Sequence, residues 1–198
     1  QYNSEQIIEL MEQGSARGVK VMAFPELCLT AYTCSDLFLQ ESLLREAKKE
    51  LKRILQASKS KDMILFVGMP WMHKGKLYNV AAVLNRGRIL GIVPKKHLPN
   101  YSEFYELRHF NPGMEKVEMT DWEGVQVPMG MNLLFACRTM PELVLAAELC
   151  EDVWVPCPPS ISHALAGATV IANCSASDET TGKDQYRYNL ICGQSARL

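Results

Sequence analysis

No apolar run in this sequence approaches the roughly 20 residues that a bilayer-spanning helix needs, so no membrane partner is expected. No charged-then-apolar leader opens it, and secretion is not expected either. Excess charge is also missing. Lys plus Arg total 21 against 22 for Asp plus Glu, a formal net charge of -1. That balance argues against a nucleic-acid surface and against an acidic tail. The seven cysteines are odd in number and contain no Cys-x-x-Cys pair, which speaks against a disulfide framework or a zinc knuckle. Free thiols packed as small apolar residues in a reducing cytosol are the simpler reading for most of them. The four histidines, His73, His97, His109 and His163, show no metal-ligand spacing, so no metal is expected. There is no internal repeat, low-complexity tract or linker.

What is present suits one domain. The chain has 198 residues, 47% of them hydrophobic, ample for a sizeable core. Residues 4–18 read as a helix that Ser4 can cap, with Ile7, Leu10 and Met11 on one face. Val19 to Phe24 is a short apolar run stopped by Pro25 and reads as a strand. Asp36 can cap a longer helix carrying Leu44, Ala47, Leu51, Ile54 and Leu55 at helical spacing. Met63 to Met69 reads as a buried strand. Leu77 to Leu84 and Arg88 to Val93 flank Asn85-Arg86-Gly87 as a hairpin. Asn132 to Cys137 and Leu143 to Leu149 form a second strand pair. Ala164 to Ala166 reads as a short helix, Ala168 to Ala172 as a strand and Asp184 to Leu198 as a closing helix. Hairpins imply antiparallel pairing and strand–helix–strand units parallel pairing. The expected fold class is therefore α/β with mixed sheets and helices on their outer faces. Residues 111–131, rich in Gly, Met and acid, are expected to be a long loop and a candidate lid. Tryptophans 122 and 154 are expected to serve packing. Both ends are abrupt, as expected of a piece of a longer protein.

Three segments that end β-like runs carry chemistry: Phe24-Pro25-Glu26, Pro94-Lys95-Lys96 and Glu148-Leu149-Cys150-Glu151-Asp152. A thiol is a poor nucleophile until deprotonated, so Cys150 needs a neighbouring base or a positive field. Taken by its local sequence alone, it reads more readily as a buried cysteine that ends a strand. Glu151 and Asp152 would oppose a thiolate if they pointed inward. Desolvation makes a carboxylate a stronger base near neutral pH, and Glu26 follows an apolar run; an ordinary solvated loop glutamate is an equal alternative. Side chains alternate along an extended segment, so at most one of Lys95 and Lys96 faces a given site. An ammonium beside Cys150 would neutralise a developing oxyanion. Tyr101 and Glu106 lie in a segment of mixed aromatics and acids that suits a binding loop or the first turn of a helix. His97 as base of a Cys–His pair is an alternative supported only by its place beside the lysines.

These residues resemble the nitrilase, or carbon–nitrogen hydrolase, superfamily, whose signature is a Glu–Lys–Cys triad in that chain order with each member at a strand end. Phe24-Pro25-Glu26-Leu27 resembles the glutamate motif. Pro94 to Pro99 resembles the lysine motif, in a register that selects Lys95, and Glu148 to Asp152 resembles the nucleophile motif. Within the superfamily, the segments Phe24 to Gln40, Pro94 to Phe110, Glu148 to Ser160 and Asn173 to Leu198 resemble the N-terminal glutaminase domains of bacterial glutamine-dependent NAD synthetases.

The resemblance implies a four-layer α–β–β–α sandwich, incomplete at both ends, with residues 1–198 forming part of a carbon–nitrogen hydrolase domain. It implies Glu26 as general base, Lys95 with the Glu151 backbone amide as oxyanion partners, Cys150 as nucleophile and Glu106 as the glutamate that orients lysine and water. Tyr32 matches a pocket-lining tyrosine, and Tyr101, Phe104, Ser177 and Lys183 resemble glutamine-binding positions. Glutamine would be the substrate, in a cytoplasmic and homo-oligomeric protein. No cofactor is implied for this domain. ATP and Mg would belong to a C-terminal synthetase domain absent from this chain. A free-standing amidase or carbamoylase is the first alternative, and a catalytically silent fragment the second. Two departures stand out. Ala31 occupies a position usually held by glycine, which matters only if that backbone needs positive φ. Cys174 replaces a usual leucine.

Overall fold

A computed structural model describes residues 1–198. The chain opens with helix α1 (Tyr2–Ala16) and strand β1 (Val21–Ala23), then helix α2 (Glu41–Ser58) and the strands β2 (Ile64–His73), β3 (Lys76–Asn85) and β4 (Arg88–Pro94). Strands β5 (Glu118–Trp122), β6 (Val125–Met129), β7 (Phe135–Ala136) and β8 (Val144–Leu149) follow. Helix α3 (Pro159–Leu165), strand β9 (Val170–Cys174) and helix α4 (Lys183–Arg197) complete it. The strands form two sheets, one of six in the order β1-β2-β3-β4-β6-β5 and one of three in the order β7-β8-β9. Both are mixed: β1–β2, β4–β6 and β8–β9 pair parallel, while β2–β3, β3–β4, β5–β6 and β7–β8 pair antiparallel. No helix is long and apolar enough to cross a membrane.

Side-chain alternation along the strands builds the layers. Leu65, Val67, Met69 and Trp71 of β2, with Val80, Ala82 and Leu84 of β3, pack against Ile7 and Met11 of α1 and Leu51 and Ile54 of α2. The intervening residues, Phe66, Ala81 and Val83, face the other way. They pack with Val93 against Phe135, Leu145, Ala147, Leu149 and Ala172 of the second sheet. Sheet thus lies on sheet, with α1 and α2 outside the first and α3 beside β8 of the second, in the expected α–β–β–α order.

Several elements differ from the sequence reading. Ser4 does not cap a helix: it lies inside α1, fully buried, and its hydroxyl bonds the Gln1 carbonyl and Glu50 of α2. Asp36 caps no helix either. It sits in a 3-10 segment, Tyr32–Leu39, and accepts from Arg108 and His109 at 2.7–3.0 Å, and α2 begins only at Glu41. Residues 111–131 are not one long loop. They hold the β5–β6 hairpin, joined to β4 through the pair Ile92–Met129. Trp122 of that hairpin stacks on Trp71 with centroids 5.8 Å apart, and the Trp71 indole N–H donates to Thr120 at 3.0 Å. Three hairpins turn on the same two-residue chemistry, Lys74-Gly75, Arg86-Gly87 and Glu123-Gly124, every member with positive φ. That is the twist-matched loop that tight hairpins prefer. The short helix placed at Ala164 starts earlier, at Pro159, where proline suits a first helical turn.

Candidate active site

The C-terminal ends of β1, β4, β8 and β9 meet at one end of the sandwich, and the candidate residues sit just beyond them. Glu26 follows β1 on a turn that lies against β2. A Cβ on Gly68 would meet the Pro25 carbonyl oxygen at 2.3 Å and the Leu27 nitrogen at 2.4 Å, so only glycine allows the turn this close. Lys95 follows β4, its N–H donating to the Asn79 carbonyl of β3 at 2.9 Å and its own carbonyl accepting from Gly113 at 2.7 Å. Cys150 follows β8 and opens a 3-10 turn, Cys150–Val153, with φ at +43°. Non-glycine residues seldom adopt that region, and holding one there costs on the order of 1–3 kcal/mol.

Lys95 joins two carboxylates. Its Nζ donates to Glu26 Oε1 at 2.6 Å and to Glu106 Oε1 at 2.7 Å, and its side chain is fully buried. Asn79 bridges the same pair, its Nδ2 reaching Glu26 Oε1 at 2.6 Å and Glu106 Oε2 at 3.5 Å. The Tyr32 hydroxyl donates to Glu106 Oε1 at 2.7 Å. Glu26 Oε2 is buried and has no hydrogen-bond partner. Burial would push the Lys95 ammonium down, but the Glu26 and Glu106 carboxylates hold it above the ordinary lysine value. Burial raises the Glu106 carboxyl against the pull of Lys95. The Cys150 thiol is pushed up to about 12, by burial first and the Glu26 charge second; Lys95, the Ser175 side chain and the Ala176 N–H pull it back. At neutral pH the resting group is therefore a neutral thiol beside a carboxylate and an ammonium, and a base must take its proton before it can attack.

Beside this cluster lies a cavity of about 340 Å³, walled by Tyr32, Phe38, Phe104, Glu106, Ala176 and Asp178 among others. It adjoins the site through Glu106, which accepts from Lys95, and Ala176, whose N–H acts on the Cys150 thiol. Phe104 packs edge-on against Tyr32 and Tyr101, at 6.4 and 5.8 Å between centroids. The Tyr101 hydroxyl lies 2.9–3.0 Å from both Glu151 carboxylate oxygens and shares its one hydrogen between them. Lys183 bonds Asp178 on the cavity wall and lies over the rings of Phe104 and Trp154 at 5.8 and 5.6 Å. Ser177 is half-buried between the wall residues Ala176 and Asp178. Lys96, by contrast, points to Glu115 at 3.8 Å and takes no part. His97 Nε2 has no hydrogen-bond partner, so nothing supports a Cys–His pair.

Two members were missed in the sequence. Asn79 is fully buried in the centre of the site, and the available signal was a lone amide inside the apolar run Leu77 to Leu84. Asp152 is buried and accepts backbone N–H groups rather than opposing the thiolate; nothing in its local sequence signals that. No cluster of three or more His, Cys, Asp or Glu with the geometry to hold a metal ion occurs.

Comparison with known proteins finds relatives over almost the whole chain. The family model for carbon-nitrogen hydrolase matches residues 1–191. A glutamine-dependent NAD(+) synthetase of Mycobacterium tuberculosis is 40% identical over 195 residues, covering 98% of this chain and 29% of the relative. One from Aquifex aeolicus is 33% identical over 189 residues, covering 96% and 30%. The chain thus spans about 30% of the length of the curated relatives it matches. Among solved structures, a glutamine-dependent NAD(+) synthetase from Cytophaga hutchinsonii superposes with a TM-score of 0.86 at 28% identity, over 97% of this chain and 30% of that one. An amidase of the nitrilase superfamily from Nesterenkonia AN1 shares the fold, with a TM-score of 0.69 at 20% identity over 98% and 65%.

Proposed function

Given that the chain belongs to the carbon–nitrogen hydrolase family, we propose that it hydrolyses the side-chain amide of glutamine as part of the glutaminase domain of a glutamine-dependent NAD synthetase. The observation that carries the reading is the buried Glu26–Lys95–Glu106 cluster, in which Glu26 Oε2 has no hydrogen-bond partner and the charges of Glu26 and Lys95 act on the Cys150 thiol. The names of the relatives, 40% and 33% identical, support glutamine over other amides.

Glutamine enters the cavity beside Phe104, with Tyr101, Ser177 and Lys183 around its backbone groups. Glu26 takes the Cys150 proton through Oε2, and the thiolate attacks the carboxamide carbon. Lys95 and the Glu151 N–H hold the tetrahedral oxyanion. Protonated Glu26 returns its proton to the departing nitrogen, ammonia leaves, and a γ-glutamyl thioester remains on Cys150. Water then gives a proton to Glu26 and attacks the thioester under the guidance of Glu106. Glutamate departs and Cys150 regains its proton. The ammonia would serve amidation by an ATP- and Mg-dependent synthetase partner outside these residues, in the cytosol, where seven unpaired cysteines persist as thiols.

Rapid quenching after mixing with glutamine, followed by peptide mass spectrometry, tests the reading. A γ-glutamyl adduct on Cys150 with release of ammonia is expected. An adduct mapping to another residue, or hydrolysis that survives Cys150→Ser, would refute it.

A further inference from the structure

Near the Glu26–Lys95–Glu106 cluster lies another buried carboxylate, Asp152, to which the reaction above assigns no step. Asp152 Oδ1 accepts the His97 N–H at 2.8 Å and the Lys96 N–H at 3.2 Å, while Oδ2 accepts the Leu149 N–H at 3.0 Å and lies 3.4 Å from the Lys96 nitrogen. The side chain is almost entirely enclosed, at 1% exposure. Lys96 and His97 directly follow Lys95 in the chain, and Leu149 directly precedes Cys150. One carboxylate therefore grips the backbone on both sides of the gap between the first sheet and the second. We propose that Asp152 is a positioning residue for amide hydrolysis: it latches the turn carrying Cys150 to the segment carrying Lys95, fixing the distance between thiol and ammonium. The proposal rests on the reaction proposed above.

Two features make the latch more than packing. First, the sheets meet here through apolar side chains such as Val93 and Leu149, and such contacts are non-directional. Hydrogen bonds from three backbone donors to one charged group fix register in a way that methyl contacts do not. Second, Cys150 holds φ at +43°, and strained backbone persists only where its surroundings over-determine it. The bond from Leu149 N–H back to Asp152 closes a ring around Cys150 and supplies that constraint. Burial pushes the Asp152 carboxyl up to about 7, while the Leu149 and His97 N–H groups and the Lys95 charge favour its ionised form. An asparagine would keep the size but offer one acceptor oxygen, and its NH2 would face N–H donors.

Hydrogen exchange and steady-state kinetics on the full chain test the latch separately from the reaction. In the parent, the amide protons of Lys96, His97 and Leu149 should exchange slowly. In Asp152→Asn they should lose protection together, while amides within the β3–β4 ladder keep theirs. Ammonia release from glutamine should fall about 10- to 100-fold in kcat with KM within about twofold, the scale of a misplacement of about 1 Å. If Asp152→Asn does not fold, Asp152→Glu, which keeps the charge but is one methylene too long for the three donors, is read the same way. Fast exchange of the three amides in the parent overturns the latch without any variant. Lost protection with unchanged kcat overturns its positioning role. A parent that hydrolyses no glutamine yet shows the coupled loss of protection refutes the reaction and leaves the latch standing.

Discussion

Replacing Lys95 by methionine nearly preserves the length of the side chain and removes only its charge and its donors. The structure says what is then left: Glu26 and Glu106, each within 2.7 Å of the lost ammonium, facing one another across Asn79 with almost no access to water. Breaking one side of a buried ion pair costs about 3–5 kcal/mol, because the remaining charge is uncompensated. Uptake of one proton by the pair relieves part of this, so a loss of about 3 kcal/mol at pH 8 is expected. For a chain of this size that is a fall in Tm of roughly 6–12 °C.

The sign of the pH dependence follows from the site. Burial already raises the Glu106 carboxyl in the parent, and Lys95 is the largest pull against it. Without Lys95 its folded pKa rises further above the unfolded value. A carboxyl raised by folding contributes stability at pH below its unfolded pKa and loses it as pH climbs through the folded value. The deficit of the variant should therefore be largest at pH 8 and shrink towards pH 5. Differential scanning fluorimetry of parent and variant at both pH values measures it, with ammonia release from glutamine expected to fall on the order of 100-fold or more from the lost oxyanion donor. An equal deficit at both pH values, or none, would show that Lys95 does not neutralise buried carboxylates.

Three further outcomes are expected. Glu26→Gln removes a charge that raises the Cys150 thiol, so the thiolate absorbance near 240 nm should appear at lower pH than in the parent. Glutamine turnover should nonetheless fall about 100-fold or more, because the proton carrier is gone; turnover within tenfold of the parent removes Glu26 as the base. Ala31→Gly should raise Tm by a few degrees, since Ala31 holds φ at +94° and ψ at 151°, a region costly to any residue with a Cβ by about 1–3 kcal/mol. An unchanged or lower Tm contradicts that strain. Trp122→Ala should cost about 1 kcal/mol through the lost stack on Trp71 and leave KM and kcat for glutamine within about twofold; a raised KM would restore the hairpin as a lid.

Much of this site was legible because its members end strands, and strand ends carry local punctuation. Pro25 after an apolar run and Pro94 before two lysines mark where β1 and β4 stop, and Glu26 and Lys95 follow them. The hairpin at Arg86-Gly87 was legible from its glycine. The equivalent signals at Lys74-Gly75 and Glu123-Gly124 went unread, the second because Met, Gln and Pro in β5 and β6 blur the period-two pattern of an edge hairpin. Asn79 and Asp152 were hidden for a different reason. The partners of Asn79 lie 27–53 positions away and two of those of Asp152, Lys96 and His97, 55–56 positions away, and a hydrogen bond across such a span leaves no periodicity in either segment. Ala31 shows the converse, a residue whose significance depended on one backbone angle that only the folded chain reveals.

In the proposed reaction the cluster also resolves how a buried site can hold charge without losing stability at each step. With both carboxylates ionised, Glu26, Glu106 and Lys95 sum to one negative charge. Transfer of the Cys150 proton to Glu26 moves that charge from carboxylate to sulfur, attack moves it to the amide oxygen, and collapse returns it. The total never changes, so no step requires a further charge to be taken from water into the interior. Only the position of the charge changes, and Lys95, fixed between two carboxylates at 2.6 and 2.7 Å, already exerts its charge on the Cys150 thiol. Preorganised groups of this kind need no rearrangement when the oxyanion forms.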